Sequence, residues 1–503
     1  MNGYFIVFLF ALLSGGVARA QSDSLATSRG HGASYGVEIA GLASTSGRTP
    51  FWLRANQYGV IPANSPAGLA IVSTNGRFAL NERKPAQQLT YGLELVGNAA
   101  RQSRLLLPQA FLSFNLGKFV LWGGRKKEVI GLGDSTLTSG FYSWSGNALP
   151  ITKIQIGTNG FVPLGFTKGL ISINAFFAHG WFANSDSIQG SFLHQKAVYV
   201  RIGKPGWRVQ FKGGVTHNAQ WGGRSSYLPE LVAKDGQIPG SLKDYLYVLT
   251  AREGNASDSP TLTDFDRVNR VGNHLGSIDF ALETSVGRWQ AMGYYQHPFE
   301  DKSGVVFINF PDGLYGLRLQ RQPGDRGFRV DHILLEHLST MSQSGSQTHT
   351  GSRYDGKDDY FNNYQYLDGW VQDRNVIGTA FLSRRNDIRS DLPYGTQKRI
   401  WAIANNQIEV YHIGLAGSFG KLTANGTMRW QMKLSTSQNY GAPRLAFLRS
   451  VAQFSGVAAV TWPLSWLGGS ELNTAIALDQ GQLYKNAIGG WLSLRKTWKT
   501  VHP

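Results

Sequence analysis

The sequence predicts an all-β fold, a transmembrane antiparallel β-barrel of roughly 16 to 18 strands. Three observations support this prediction. Long stretches alternate polar and apolar residues, the N-terminus has the form of an export signal, and no later run of about 18 apolar residues could form a membrane-spanning helix. An exported chain with long alternating strands is typical of an outer-membrane barrel.

The alternation is clearest in residues 421–434. Apolar side chains such as Met428 and Trp430 occupy one face, and polar side chains such as Arg429 and Lys433 occupy the other. Shorter or weaker segments with the same period lie at residues 90–97, 109–116, 171–177, 196–202, 207–215, 278–283, 287–296, 314–320, 407–411, 472–478 and 487–495. A period of two residues is the mark of a β-strand with two different faces.

The length of these strands separates a membrane barrel from a soluble fold. Soluble strands are typically about 5–6 residues long, whereas a tilted membrane strand needs roughly 9–11. Backbone groups in hydrocarbon must all be paired, so the sheet has to close. The alternatives are a soluble β-propeller or a large β-sandwich, and the sequence shows no repeat of about 40–50 residues that would indicate a propeller.

Residues 1–20 are predicted to be a cleaved signal peptide. An apolar stretch at residues 4–13 is followed by Ala18-Arg19-Ala20, an A-x-A cleavage pattern, although the stretch lacks the usual preceding Lys or Arg. The alternative is an N-terminal membrane anchor. Cysteine is absent from the 503 residues, which excludes disulfide frameworks, thiolate metal sites and cysteine nucleophiles.

The predicted mature barrel, residues 21–503, contains three segments that do not alternate, at residues 49–66, 221–270 and 349–374. Within the second, residues 241–253 predict a short helix with Ser241 as N-cap. Irregular segments of this length in a barrel are long loops, or plugs that fill a lumen too wide for side chains alone.

Some of these segments carry a resemblance to a known family. Residues 49–59, Thr-Pro-Phe-Trp-Leu-Arg-Ala-Asn-Gln-Tyr-Gly, resemble the N-terminal signature of Wzi-type capsule assembly proteins. Residues 359–364, with Gly369-Trp370 and residues 376–379, resemble a later block of that family, and residues 131–150 contain a third, less specific match. The blocks are spread over residues 35–380, and we extend the resemblance to the whole mature chain.

The resemblance implies an outer-membrane barrel of about 18 strands with a small helical plug on the periplasmic side. It also implies a lectin-like, non-catalytic role in which the protein anchors capsular or extracellular polysaccharide at the cell surface. The sugar-binding positions of the family cannot be transferred residue by residue, because they lie in variable loops.

Candidate polysaccharide-binding residues follow from side-chain chemistry. Sugars are bound by aromatic faces and planar polar groups, and acidic sugars also need Arg or Lys. The densest such mixture comprises Arg353, Tyr354, Asp358, Asp359, Tyr360, Asn362, Asn363, Tyr364, Tyr366 and Trp370. Trp221, Tyr227 and Tyr245 form a second, weaker group. The alternative is that these aromatic residues pack a long loop onto the barrel.

The formal net charge of +17 favours an anionic partner. Part of the surplus lies on predicted lumen faces, at Arg208, Lys212, Lys421, Arg429 and Lys433, where it would concentrate an anionic substrate or be neutralised by lining carboxylates. We expect a monomer that contacts outer-membrane lipid and a capsular or extracellular polysaccharide, either neutral or acidic. Nucleic acid is not expected, because the basic residues alternate along strands instead of forming a stripe.

The sequence predicts no catalytic, metal or cofactor site. Motifs such as H-E-x-x-H and G-x-S-x-G are absent, and the adjacent carboxylates Glu300-Asp301 and Asp358-Asp359 do not set the opposed spacing that glycosidases require. Two alternatives to the anchor remain open. One is a diffusion porin for anionic solutes, and the other is a barrel enzyme that acts on lipid or glycan.

Overall fold

The structure, a computed structural model, describes residues 16–17, 31–81, 84, 86–204, 206–230, 232–252, 270–321, 327–345, 358–392, 402–420, 427–443 and 445–502. The predicted signal peptide lies almost entirely outside these residues, as do Arg353, Tyr354 and Lys421. Among the described residues, no helix combines the length and the apolar character needed to cross a membrane.

Eighteen antiparallel strands form one closed sheet, and each pairs with its neighbours in the chain. They are β1 His31–Ser44, β2 Ala67–Ala79, β3 Gln87–Ala99, β4 Arg104–Leu116, β5 Phe119–Arg125, β6 Thr152–Thr158, β7 Ile171–Trp181, β8 Phe192–Ile202, β9 Val209–Trp221, β10 Asn273–Val286, β11 Trp289–Phe299, β12 Gly313–Gln320, β13 Phe328–Ser339, β14 Ile408–Phe419, β15 Arg429–Ala442, β16 Leu445–Leu464, β17 Ser470–Gly481 and β18 Ala487–His502. The last strand pairs with the first, from His31 opposite His502 to Ser44 opposite Gly489. The predicted barrel is therefore confirmed.

Short helices and strand pairs lie in the connections. The helices are α1 Phe51–Arg54, α2 Leu242–Thr250 and α3 Lys302–Val305. Short 3-10 turns span Gly165–Thr167, Lys234–Gly236, Arg385–Asp387 and Ser465–Leu467. Two-residue strands at Gly16–Val17 and Val162–Pro163 extend the sheet, and small ladders pair Ile188–Gln189 with Arg224–Ser225, Val371–Gln372 with Asn375–Val376, and Ser383–Arg384 with Ile403–Asn405.

The predicted two faces of the strands correspond to the two sides of the wall. In β10, Phe280 and Leu282 are exposed on the outside, whereas the alternating residues Asp279 and Ala281 are buried on the lumen side, where Asp279 accepts a hydrogen bond from Leu132 N at 2.9 Å. Large apolar side chains are exposed all around the barrel, including Ile39, Val72, Leu95, Leu112, Ile154, Val198, Leu335, Ile413 and Ile476. This surface is the lipid-contacting belt of a transmembrane barrel.

Aromatic rows border the belt at both ends. At one end Tyr295, Tyr315, His337 and Tyr411 on successive strands β11 to β14 form a row, with ring-centroid distances of 4.4, 6.1 and 4.7 Å. At the other end the Phe328 ring stacks on Trp430 at 5.1 Å. Amphipathic rings of this kind mark the interfaces between hydrocarbon and water.

The two ends of the barrel differ in their connections. The end where β1 starts and β18 finishes has turns of modest length, whereas the opposite end carries the long connections 45–66, 126–151, 222–272, 300–312 and 340–407. We call these the short-turn end and the long-loop end. In bacterial outer-membrane barrels the short turns are periplasmic and the long loops extracellular.

Three connections from the long-loop end fold into the lumen and bind one another. Tyr58 N donates to Gly146 O at 2.8 Å, and Ser145 N donates to Ile377 O at 3.0 Å. The inserted segments also bond to the wall, as when Phe51 N donates to Asp479 Oδ2 at 2.8 Å. The helical plug element, α1, therefore enters from the long-loop end, which differs from the periplasmic placement implied by the family resemblance.

The predicted helix in the third long connection is confirmed as α2. Ser241 is its N-cap, and a capping box joins the Ser241 side chain to the Asp244 backbone while Asp244 accepts from Ser241 N at 2.8 Å. The helix ends at Thr250, three residues before the predicted end, and Ala251 follows it in the left-handed conformation that commonly closes helices.

Candidate functional site

The segment with most predicted binding residues is mainly buried among the connections at the long-loop end. The side chains of Tyr360, Tyr366 and Trp370 are fully buried and Asn362 is nearly so. Trp370 Nε1 donates to Ser143 O at 2.9 Å, and its ring packs edge-on against Trp144 and Phe182. In this conformation a sugar has no access to these rings, so the structure favours the alternative in which the aromatic residues pack the loop.

Hydrogen bonds hold the polar atoms of the same segment. Tyr360 Oη donates to Asp312 Oδ2 at 2.9 Å, and Asn362 Nδ2 donates to Ile403 O at 2.9 Å. Asp358, Asp359, Asn363 and Tyr364 are half-buried, so among the described candidates direct sugar contact stays a prediction for these four. In the weaker group, Trp221 stacks on Tyr245 at 4.9 Å and Tyr227 Oη donates to Gln365 O at 2.5 Å.

The predicted basic lumen is largely neutralised by paired carboxylates. Lys212 Nζ lies 2.7 Å from Glu283 Oε2, and Arg429 forms an ion pair with Glu471. Lys433 Nζ lies 4.8 Å from the centre of the Trp52 ring. Arg208 precedes β9, at the short-turn end. A lumen cavity of about 500 Å³ between the plug and the wall contains the further ion pairs Lys127–Glu94 and Arg495–Glu38.

A second cavity, which we call the basic pocket, opens at the long-loop end with a volume of about 480 Å³. Its lining comes from three connections that meet beside β1, β17 and β18. Those residues are Arg48, Thr49, Arg54, Arg385, Asn386, Asp387, Ile388, Arg389, Ser390, Asp479, Tyr484, Lys485 and Ala487. The eight described candidates from residues 358–370 are not part of this lining.

The basic pocket has more cations than carboxylates. Four arginines and Lys485 line it, against Asp387 and Asp479 in the lining and Asp391 at its rim, which leaves a surplus of two positive charges. Asp479 is already engaged, because it accepts from Phe51 N at 2.8 Å and from Ser455 Oγ at 2.6 Å. The pocket therefore has a net attraction for anions.

Two of its arginines share one carboxylate. Arg54 Nη1 lies 3.4 Å from Asp387 Oδ1, and Arg48 Nη2 lies 3.9 Å from the same oxygen. Arg48 also donates to Asn386 O at 3.2 Å, which joins the β1–β2 connection to the β13–β14 connection. Burial, and next the charge of Arg54, lower the pKa of Arg48. The negative charge of a bound anion would raise the pKa of Arg48 again and so favour its charged form.

The planar guanidinium group is suited to this task. Each arginine presents five N–H donors in a fork that binds a carboxylate or a phosphate through two parallel hydrogen bonds. The pocket offers little stacking surface, because Tyr484 is buried against Phe51 at 5.6 Å and its hydroxyl bonds to Ser383 Oγ at 2.9 Å. Charge and hydrogen bonding, and not ring stacking, would select a ligand here.

In the described part of the chain, no three His, Asp or Glu side chains are grouped so that they could hold a metal ion. The adjacent carboxylates Glu300 and Asp301 point to structural partners, since Glu300 accepts from Phe361 N at 2.8 Å and Asp301 accepts from Ser303 N at 2.6 Å.

Comparison with known proteins shows the fold and no family. Neither the protein-family models nor the curated proteins give a match. Among solved structures, the chain is similar to Wzi of Escherichia coli, an outer-membrane protein described as a carbohydrate-binding β-barrel involved in group 1 capsule assembly. The identity is 14%, the TM-score is 0.53, and the match covers 91% of this chain and 83% of Wzi.

Porins also match, at lower structural similarity. A BenF-like porin from Pseudomonas fluorescens matches at 7% identity and a TM-score of 0.47, over 93% of this chain and 99% of the porin. OccK2 of Pseudomonas aeruginosa matches at 8% identity and a TM-score of 0.46, over 94% and 98%. At such identities the likeness concerns the fold alone. The chain is thus a transmembrane β-barrel with the fold of bacterial outer-membrane proteins.

Proposed function

We propose that this protein lies in the outer membrane and anchors an acidic capsular or extracellular polysaccharide at the cell surface without catalysis. The basic pocket is the observation that carries the proposal. It combines four arginines and a lysine at the end of the barrel that is extracellular in barrels of this type. Carboxylates on a sugar polymer, such as uronates, match the donors of these side chains.

The plug in the lumen supports an anchor over a diffusion porin, with a cavity of about 500 Å³ left between the plug and the wall. Three connections from the long-loop end bind one another inside the barrel, and fully buried rings such as Trp370 and Phe361 close the space between them. An open anion channel would instead need a continuous wet path. The carbohydrate binding stated for Wzi is consistent with the proposal, as is the resemblance of residues 49–59 to the capsule family.

Binding to defined polymers tests the proposal directly. The purified protein in detergent is titrated with polygalacturonate and, as a neutral polymer, with dextran. The double variant Arg385→Gln with Lys485→Gln is expected to bind polygalacturonate at least about 100-fold more weakly, because two charge-assisted hydrogen bonds at roughly 1.5–3 kcal/mol each sum to about 3–6 kcal/mol. Arg449→Gln, an exposed arginine outside the pocket, is the matched control and should bind like the unmodified protein.

Two outcomes would contradict the proposal. One is equal binding of polygalacturonate by the double variant and the control, and the other is equal binding of dextran and polygalacturonate. In cells, deletion of the protein should leave the polymer made but shed into the medium. Planar-bilayer conductance separates the porin alternative, since the plugged barrel should stay nearly closed.

A further inference from the structure

Residues 302–310 expose an unusual amount of apolar surface outside the strands. This segment consists of α3 and the turn after it, and we call it the apolar shelf. Five of its last six side chains are large, apolar and exposed: Val305 45%, Val306 47%, Phe307 37%, Ile308 48% and Phe310 60%. Contiguous exposed apolar residues outside a packed core mark a surface that contacts something other than water.

The apolar shelf is fixed in place, and its exposure is not the result of loose packing. Asn309, the one buried residue among residues 305–310, donates through Nδ2 to Pro298 O at 2.8 Å and to Tyr360 Oη at 2.7 Å. At the start of the shelf, Ser303 Oγ bonds to Ser344 Oγ at 2.7 Å. The polar residues therefore hold the segment from inside and turn the apolar side chains outward.

The shelf lies against the outer face of the barrel wall. His297 on β11 shares the outward face of Tyr295, two residues away, yet it is fully buried. The Phe307 ring covers it with a centroid distance of 4.0 Å, and its Nε2 atom lies 2.9 Å from Gly304 O. The connection thus folds back over the outside of the barrel.

The shelf also adjoins the aromatic row at the long-loop end. Tyr295 Oη donates to Asp312 O at 2.7 Å, and Tyr315 Oη donates to Pro311 O at 2.8 Å. These two tyrosines belong to the row that marks the hydrocarbon–water interface. The exposed residues of the shelf are therefore continuous with the lipid-contacting belt.

A neighbouring connection is arranged in the same way. Helix α2 covers outward-facing residues of β8, where Tyr245 Oη lies 3.2 Å from His194 Nδ1 and Lys196 Nζ donates to Leu249 O at 2.5 Å. Leu242 and Leu246, four residues apart on the helix, are 79% and 56% exposed. Two connections on one side of the barrel therefore present apolar side chains away from the wall.

We infer that the apolar shelf is immersed in the outer leaflet of the membrane, where Val305 to Phe310 contact lipid acyl chains. The shelf extends the lipid-contacting surface on the β11–β12 side beyond the strands, in the way that interfacial apolar segments insert at the boundary between headgroups and acyl chains. This inference does not depend on polysaccharide binding. The barrel would then contact the outer leaflet over a larger surface on its β11–β12 side than its strands alone provide, at the end where the basic pocket opens.

Site-specific quenching tests this inference, and the absence of cysteine from the chain makes single-cysteine labelling direct. Val306→Cys is labelled with an environment-sensitive fluorophore, and the protein is reconstituted into vesicles. Leu335→Cys on the outer wall of β13 is the control for lipid contact, and Asn486→Cys in an exposed long-loop-end connection is the control for water. Quenching is then measured with brominated lipids and with aqueous iodide.

The expected result is that the label at Val306 is quenched by brominated lipid to within about twofold of the label at Leu335 and is protected from iodide. Quenching by iodide to the level of Asn486 would overturn the inference, because it would place the shelf in water. Protection from both quenchers would also overturn it, since the shelf would then be covered by protein. All three positions are exposed, so each variant should fold.

Discussion

The two halves of the connection between β13 and β14 differ in burial: one half is packed inside the protein, and the other lines the basic pocket. Residues 358–372, its buried half, pack among the other connections of the long-loop end with Tyr360, Tyr366 and Trp370 fully buried, whereas its second half brings Arg385 and Arg389 to the basic pocket at the mouth. A buried tyrosine or tryptophan side chain has only one polar atom, and neighbouring connections satisfy it, as Asp312 and Asn309 do for Tyr360 Oη. A guanidinium carries five donors, so it remains where water or a ligand can satisfy them.

The largest effect on stability is expected from shortening one aromatic side chain in the buried half. Trp370→Ala should destabilise the folded protein by about 3–5 kcal/mol, because it removes a fully buried ring and leaves a cavity beside Trp144 and Phe182. Heat- or denaturant-induced unfolding in detergent measures the loss. The matched change at the mouth, Lys485→Ala, should alter stability by only about 0.5 kcal/mol. Equal losses at both positions would contradict the contrast between the two halves.

An intermediate effect on stability is expected from pH, through Asp358 in the buried half and Asp312, which accepts a hydrogen bond from Tyr360 of that half. Burial raises the pKa of Asp312 to about 6, and burial together with the charge of Asp301 raises the pKa of Asp358 to about 8. Both groups ionise near pH 4 in an unfolded chain. Their folded-state protons therefore stabilise the protein most below about pH 4, and this contribution is lost as the pH rises through about 6 to 8.

Hydrogen exchange of residues 358–372 measures this dependence. We expect faster opening of the segment at about pH 8.5 than at about pH 5, after correction for the intrinsic exchange rate. Asp358→Asn keeps an acceptor for Ser344 Oγ, which lies 2.7 Å from Asp358 Oδ2, and should flatten the response above about pH 6. A segment that opened more at low pH would show that the carboxyl groups are ionised in the folded protein.

The smallest effect is expected from salt, which should weaken ligand binding at the basic pocket and leave the stability of the buried half unchanged. Raising the ionic strength from about 0.05 to 0.5 M should weaken polygalacturonate binding several-fold, since it shortens the screening length to less than the width of the basic pocket. The unfolding midpoint of the protein should be nearly unchanged by the same salt, because the contacts around Trp370 are apolar and buried. Binding that is insensitive to salt would show that charge does not select the ligand.

Parts of this architecture were predictable from local sequence. Phe280 and Leu282 face outward and Asp279 inward, as the two-residue alternation predicts, and Ser241 caps α2. Residues 126–151 were missed as an inserted segment, although Arg125 is followed by a Gly- and Ser-rich stretch without alternation that could have indicated it. The arginines at 385 and 389 were missed because they lie outside the irregular segment at residues 349–374.

The sequence by itself determined the wall: strand length, the alternation of faces and the apolar belt follow from residue order, because each strand obeys a local period. Only the tertiary structure decided which irregular segments enter the lumen and which charges meet at its mouth. Arg48, Arg385 and Lys485 are far apart in the chain and converge on one cavity only when the barrel closes between β18 and β1. The alternation predicts that the sheet closes, but it does not predict which residues of the long connections meet when it does.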